Sequence, residues 1–323
     1  MNSYGTNFRI SMFGESHGDL IGVIMDGVPA GIALKEEDFL GDLGRRKSGG
    51  KGTTPRIESD MPKIVSGTHN GFTTGAPLTV VFQNGNTISK DYSQFRNVPR
   101  PGHADYTADI KFNSFNDIRG GGHFSGRLTL ILVAAGTVAK KIAGDIRFSA
   151  SIKQIGGSDN PEAWDGIISA AMAEGDSVGG IIECVCTGVP AGLGEPFFNS
   201  LESEIAHLAF SIPGVRGIEF GDGFSSAAMK GSEHNDSFID KQGHTATNGA
   251  GGINGGISNG NPVVFRIAVK PTSSISKAQH TLNFASGEME DFSVKGRHDA
   301  CIALRCPVIV EAIAAIALAQ HLL

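Results

Sequence analysis

No stretch of this 323-residue chain is apolar for long enough to cross a bilayer, which takes about 20 residues. The opening MNSYGTNFRISMFGESHG lacks the continuous apolar core of a secretion signal, so the expected location is the cytoplasm. There is no fixed-period repeat, no low-complexity tail and no obvious linker; the length suits one large domain or two modest ones, and a single domain over residues 1–323 is the expectation. Cysteine is scarce. Cys184, Cys186, Cys301 and Cys306 form a Cys-x-Cys and a Cys-x4-Cys without neighbouring histidines. That pattern is poor for zinc and points to free buried thiols in a reducing compartment. The ten histidines lie far apart and contain no His-x-x-x-His pair, which speaks against a metal-dependent hydrolase, and no metal site is expected. Positive charge is also in deficit. A net charge of −6 excludes nucleic acid and anionic membranes as electrostatic partners, so any anion site must come from local clustering.

What the chain has in plenty is glycine: 45 residues, about twice the usual share. The glycines gather in short motifs, which suits close approach of backbone to a ligand or to another segment. Hydrophobic residues at 40% supply a core. FRISMF, LIGVIMDGV, APLTVVFQNG, RFSASIKQI, GGIIECVCTG and PVVFRIAVKP read as strands. Ser125 to Ala143 reads as a helix apolar nearly all round, as does the closing PVIVEAIAAIALAQHLL. Further helices are expected at PEAWDGIISAAMAEG, with proline in its first turn, and near residues 199–209. Two buried helices among amphipathic strands predict an α/β layered sandwich, a helical core between antiparallel sheets. Strict alternation of strand and helix is missing, which argues against a doubly wound nucleotide-binding fold.

Five stretches carry chemistry. GESHG (14–18) sets Ser16 and His17 between glycines, where an imidazole is either available for proton transfer or simply solvated on a β-turn. GRRKSGGKGTTPR (44–56) holds Arg45, Arg46, Lys47, Lys51 and Arg56 with no acid, either an anion sink on a Gly/Ser/Thr loop or a mobile charged surface. RPGHADYT and RGGGHFSGRLT bring Arg100, His103, His123, Phe124, Ser125 and Arg127 to the expected start of the long helix, with Ser125 as its cap. Residues 247–264 hold six glycines without a dinucleotide fingerprint, and KPTSS (270–274) then offers a cation and three hydroxyls. Last comes GRHD, with Arg297, His298 and Asp299 before the final helix.

In this order, GESHG with LIGVIMDGVP, TTPR, RPGHADYT, RGGG followed by SGRLT and AAGTVAKK, GDSVGG with GVPAGLGEP, GGISNG, KPTSSI and RHDAC closely resemble the chorismate synthase family over almost the whole chain. The resemblance implies a β-α-β sandwich with internal pseudo-symmetry, assembled as a homotetramer. It implies a lyase that removes phosphate from 5-enolpyruvylshikimate 3-phosphate by anti-1,4-elimination to give chorismate, for aromatic amino-acid biosynthesis. Reduced FMN would be required without net redox change. The flavin would be reduced by NADPH directly or by an external reductase. Carried over by position, His17 would protonate the departing phosphate and His103 the reduced flavin. Asp299 would help to remove the C6 proton, with Ser16 and Ser125 as hydroxyl relays. Arg45, Arg46, Lys51, Arg100 and Arg127 would hold the substrate's anions. His123, Phe124, Ser125, Pro213, Gly214, Gly255, Lys270, Pro271, Thr272, Ser273, Ser274 and Arg297 would bind FMN. The chain departs from the family pattern at Lys47 and Lys51, at Asn116 within KFNSFND, at His123, at Ala300, and in a shortened stretch between Ile155 and Asp176. An alternative of another class is a flavin- or anion-binding protein of the same fold without turnover.

Overall fold

The computed structural model describes residues 1–54, 59–85, 92–294, 296 and 298–323. The chain opens with β1 (Ser3–Tyr4), β2 (Arg9–Gly14) and β3 (Leu20–Asp26), followed by α1 (Leu40–Arg46). Then come β4 (Lys63–Ser66), the short β5 (Thr68–His69) and β6 (Phe72–Thr73), and β7 (Leu78–Gln83). Helices α2 (Gln94–Asn97), α3 (Asp105–Lys111) and α4 (Thr129–Ala143) lead into β8 (Arg147–Ile155), α5 (Pro161–Ala173) and β9 (Gly180–Thr187). The second half adds α6 (Leu201–Ser211), β10 (Val215–Phe220), α7 (Gly231–His234), the hairpin β11 (Ile253–Asn254) and β12 (Ile257–Ser258), and β13 (Val263–Val269). A hairpin of β14 (Gln279–Leu282) and β15 (Met289–Phe292) precedes α8 (Pro307–Leu322).

Two antiparallel sheets result, ordered β1-β2-β3-β7-β4 and β10-β13-β9-β8. Each is amphipathic with period two, as alternation requires. On β3 and β7 the inward residues Ile21, Val23, Met25, Leu78, Val80 and Phe82 are fully buried. On β13, Val263, Phe265 and Ile267 play the same part, and Phe265 pairs with Cys184 of β9. Between the sheets lie α4 against β3 and α8 against β8 and β9, with the two helices packed on each other. They come close because position 136 of α4 has no side chain: a Cβ there would sit 2.3 Å from that of Ala312. Both helices are buried around their circumference, so packing rather than an amphipathic stripe holds them. Each fully buried Leu or Ile contributes about 1.5–3 kcal/mol. The layered α/β sandwich with a helical core is thus the observed architecture.

Three local differences from the sequence reading have physical causes. The long helix begins at Thr129, because Ser125, in extended conformation, caps a separate 3₁₀ turn over Gly126–Leu128 by accepting from the Arg127 amide at 3.3 Å. The sixth helix begins at Leu201, where Ser200 caps it by accepting from Ser203 N at 3.1 Å. The basic stretch 44–56 is not all loop, since Arg45 and Arg46 close the last turn of α1. All four cysteines are free and buried, as expected, and burial pushes the Cys306 thiol up to about 12.

Candidate active site

The tight turn between β2 and β3 presents Ser16 and His17 inward, both buried. Asn84 fixes this turn, its amide donating to the carbonyls of Glu15 at 3.0 Å and Gly18 at 2.7 Å. Ser16 N donates to Gly122 O at 3.1 Å, which ties the turn to the glycine triplet. Gly120, Gly121 and Gly122 all have positive φ (58°, 84° and 52°). At Gly120 a side chain is also excluded by space, because a Cβ would lie 2.0 Å from His17 Cε1. The His17 ring is held by Ser16 Oγ, 3.3 Å from Nδ1, and by the Tyr92 hydroxyl, 3.3 Å from Nε2, with Tyr92 edge-on to it.

Beyond the triplet stands His103. Its Nδ1 lies 2.8 Å from Asp105 Oδ1, so the imidazole donates there and turns Nε2 toward Gly121. Arg100 clasps the same carboxylate through Nε at 2.7 Å and Nη2 at 2.8 Å, donates to Ser274 Oγ at 3.1 Å and stacks over Phe95. Burial pushes the Asp105 carboxyl up, but the hydrogen bonds from Arg100 and His103 outweigh it and hold the group well below the usual carboxylate range. Next to this group, Lys270 donates to Gly102 O at 2.5 Å and to Ser273 Oγ at 2.8 Å, while Thr272 Oγ1 is buried without a partner.

A second cluster converges from the other side. Arg127 donates through Nε to Asn84 Oδ1 at 2.6 Å and through Nη1 to Asp60 Oδ1 at 2.9 Å. Arg46 reaches the other Asp60 oxygen at 3.5 Å and Thr129 Oγ1 at 3.4 Å. Arg305 donates through Nε to the Arg46 carbonyl at 2.9 Å and through Nη1 to Asp299 Oδ2 at 3.2 Å. Asp299 Oδ1 accepts from the Thr54 amide at 2.6 Å. Among the described residues, three guanidiniums therefore face two carboxylates. Arg46 Nε and Arg127 Nη2 are buried and unpartnered. Burial first, then Arg305 and Arg127, push the Arg46 guanidinium down to about 9. Such a place lacks negative charge, and an anionic ligand would supply it.

The structure thus brings together Ser16, His17, Arg46, Arg100, His103, Ser125, Arg127, Ser274 and Asp299. Others stand apart. Arg45 pairs with Glu311, both contacts at 2.6 Å, and with Asp42, on the flank of α8. Exposed Lys51 pairs with Asp165 of α5 at 3.4 Å. His123 reaches Gly14 O through Nδ1 at 2.9 Å and Asn2 Oδ1 through Nε2 at 3.1 Å, both acceptor oxygens, and with Pro213, Leu128 and Leu132 it lines a cavity of about 290 Å³. Phe124 lines a narrow cleft beside His103. Gly214 O accepts from Lys270 N at 2.9 Å, and Pro271 lies over Gly179. Gly255, on the β11–β12 turn, has open space around it. Arg297 and Arg56 lie outside the described residues. Of the departures, His123 serves the N-terminal strands, Asn116 leaves its Oδ1 buried and unpartnered, and Ala300 O accepts from Val178 N. Sequence reasoning missed Asp60, Asn84, Tyr92, Asp105 and Arg305. Asp105 lay two positions from His103 inside a motif already singled out, while nothing in CIALRCP marked Arg305.

Two held imidazoles, a carboxylate and a buried cationic surplus suit an enzyme acting by proton transfer on a small, multiply anionic molecule. No group of three His, Cys, Asp or Glu side chains able to hold a metal occurs among the described residues. The family model described as chorismate synthase matches residues 8–323. A chorismate synthase of Chitinophaga pinensis is 63% identical over 324 residues, covering all of this chain and 97% of that protein. Another, of Dehalococcoides mccartyi, is 44% identical over 99% of this chain and 96% of its own. A crystal structure of chorismate synthase superposes with a TM-score of 0.75 at 25% identity, covering 98% of this chain and 92% of that one. The chain belongs to the chorismate synthase family. Its activity is that of a lyase producing chorismate for aromatic amino-acid biosynthesis.

Proposed function

We propose that the pocket binds 5-enolpyruvylshikimate 3-phosphate and eliminates its phosphate in the anti-1,4 sense, with these side chains in the roles their geometry supports. The observation that carries the reading is the buried cationic surplus of Arg46, Arg127 and Arg305, with two unpartnered guanidinium nitrogens, tied through Asn84 to the turn that carries His17. A substrate with one phosphate and two carboxylates suits that surplus. Arg46 and Arg127 clamp anionic oxygens, and Arg100, closed by Asp105, positions His103.

The C3–O bond breaks as phosphate leaves, and His17 hands it a proton with Ser16 as relay; an imidazole in contact with a leaving phosphate typically contributes 10²–10⁴-fold. Asp299 takes the C6 proton. Its two accepted hydrogen bonds, one on each oxygen, leave lone pairs for it. His103, its Nδ1 held by Asp105, presents Nε2 beside Gly121 for proton transfer, and Ser125 adds a hydroxyl near the helix start.

The residues also fit FMN. Thr272 has a buried hydroxyl without a partner, and Lys270, Ser273 and Ser274 line the same flank, with Pro271 and Gly214 adjoining. When bound, a reduced flavin supplies electron density to the electron-poor carbon skeleton. His123, Phe124, Pro213, Gly255 and Arg297 remain proposed contacts, and homotetrameric assembly, a cytoplasmic location and reduction by NADPH or an external reductase belong to the same reading.

Asp299→Ala tests the central step. It should keep affinity for reduced FMN and substrate within a few-fold while kcat falls by at least about 10³-fold. Near-normal kcat would remove Asp299 from the chemistry.

A further inference from the structure

We infer that Arg305 is a positioning residue that fixes the proton acceptor Asp299 against the anion clamp; this rests on the proposed role of Asp299.

Arg305 stands at the end of a 3₁₀ turn, Ile302–Arg305, two residues before the buried helix α8. Its backbone therefore adjoins the buried helical layer of the fold. The side chain is four-fifths buried and its fork serves two masters. Nε donates to the Arg46 carbonyl, one of the carbonyls left over at the end of α1. Nη1 donates to Asp299 Oδ2. One planar group thereby sets the distance between the carboxylate that accepts the proton and the helix turn that carries the clamp arginine Arg46. Two hydrogen bonds from backbone amides strap the basic segment to the same place: Thr54 N to Asp299 Oδ1, and Cys301 N to Gly52 O at 3.1 Å. With Thr54 holding one oxygen and Arg305 the other, the carboxylate plane cannot rotate. A planar guanidinium is needed for this. A lysine could reach one acceptor, but it cannot hold both at a fixed angle. Arg305 need not touch substrate for the arrangement to matter, because a displacement of about 1 Å in a reacting group costs on the order of 10² in rate.

The test uses the full chain with chemically reduced FMN under anaerobic conditions, and substrate carrying deuterium or hydrogen at C6. For Arg305→Met the expected result is kcat lowered on the order of 100-fold, KM changed by less than about fivefold, and a larger deuterium isotope effect on kcat. Arg305→Lys should recover about tenfold of the loss yet keep a raised isotope effect. Asp299→Asn/Arg305→Met should be no slower than Asp299→Asn alone, since the two residues act as one unit. Thermal melting identifies a variant that fails to fold, in which case Arg305→Lys decides alone. The inference is overturned if Arg305→Met, or Arg305→Lys where only that variant folds, keeps wild-type kcat and isotope effect. A loss confined to KM overturns it too, and assigns Arg305 to substrate binding. Full turnover by Asp299→Asn would instead sink the role of Asp299 itself, whereas an inactive Asp299→Asn beside normal Arg305 variants would sink only the role of Arg305.

Discussion

Asp60 is the counter-charge on which the resting anion site depends. Its carboxylate is 4% exposed, 2.9 Å from Arg127 and 3.5 Å from Arg46, whose side chains are 7% and 3% exposed. Asp60→Asn preserves shape, and asparagine tolerates the local φ of 48° as well as aspartate does. The amide oxygen still accepts one hydrogen bond from Arg127, so the change isolates the charge. Removing one partner of a buried ion pair costs about 3–5 kcal/mol. The retained hydrogen bond returns about 1 kcal/mol, leaving a loss of about 3 kcal/mol. At roughly 2 °C per kcal/mol for a chain of this size, Tm should fall by about 6 °C. An anion bound between Arg46 and Arg127 replaces the missing charge, so saturating inorganic phosphate should raise Tm more in Asp60→Asn than in the wild type. Thermal scanning at a series of phosphate concentrations reads both quantities. An unchanged Tm, or a phosphate response no larger than in the wild type, would refute the view that these arginines form an anion site short of negative charge.

Two further predictions concern geometry and pH. Gly120→Ala puts a methyl where the His17 ring lies and forces alanine to positive φ, so kcat should fall about 100-fold and Tm by several degrees; steady-state assays with reduced FMN check it, and a kcat within twofold would contradict it. The Asp105 carboxyl is held low in the folded chain, so its contribution is fully present above the unfolded value of about 3.9 and fades as pH falls. Denaturant titration should therefore show Asp105→Asn about 3 kcal/mol less stable than the wild type at pH 7, with the gap shrinking below about pH 4.

The layers were legible because their signals are local. Alternation in RFSASIKQI marks a sheet face, and long, predominantly apolar stretches mark α4 and α8. The start of α4 was less so, since a serine cap looks the same before a 3₁₀ turn as before an α-helix. In the site, residues within motifs were found and their partners were not. Asp60 meets Arg127 across 67 positions, and Arg45 meets Glu311 across 266. Such pairings are set by how the sheets and helices stack, and no spacing rule announces them. Arg45 and Lys51 show the converse: a run of cations reads as one patch along the chain, yet folding turns Arg45 to α8, Lys51 to α5 and Arg46 inward.

The most direct measurement mixes the protein anaerobically with chemically reduced FMN and 5-enolpyruvylshikimate 3-phosphate, and follows chorismate absorbance and phosphate release together. The account predicts repeated turnover with the two products in equal amounts, and a repeat with NADPH and oxidised FMN then shows whether the chain reduces its own flavin. Binding of flavin and substrate without any release of phosphate would contradict it, and would leave a binding protein built on an enzyme's fold.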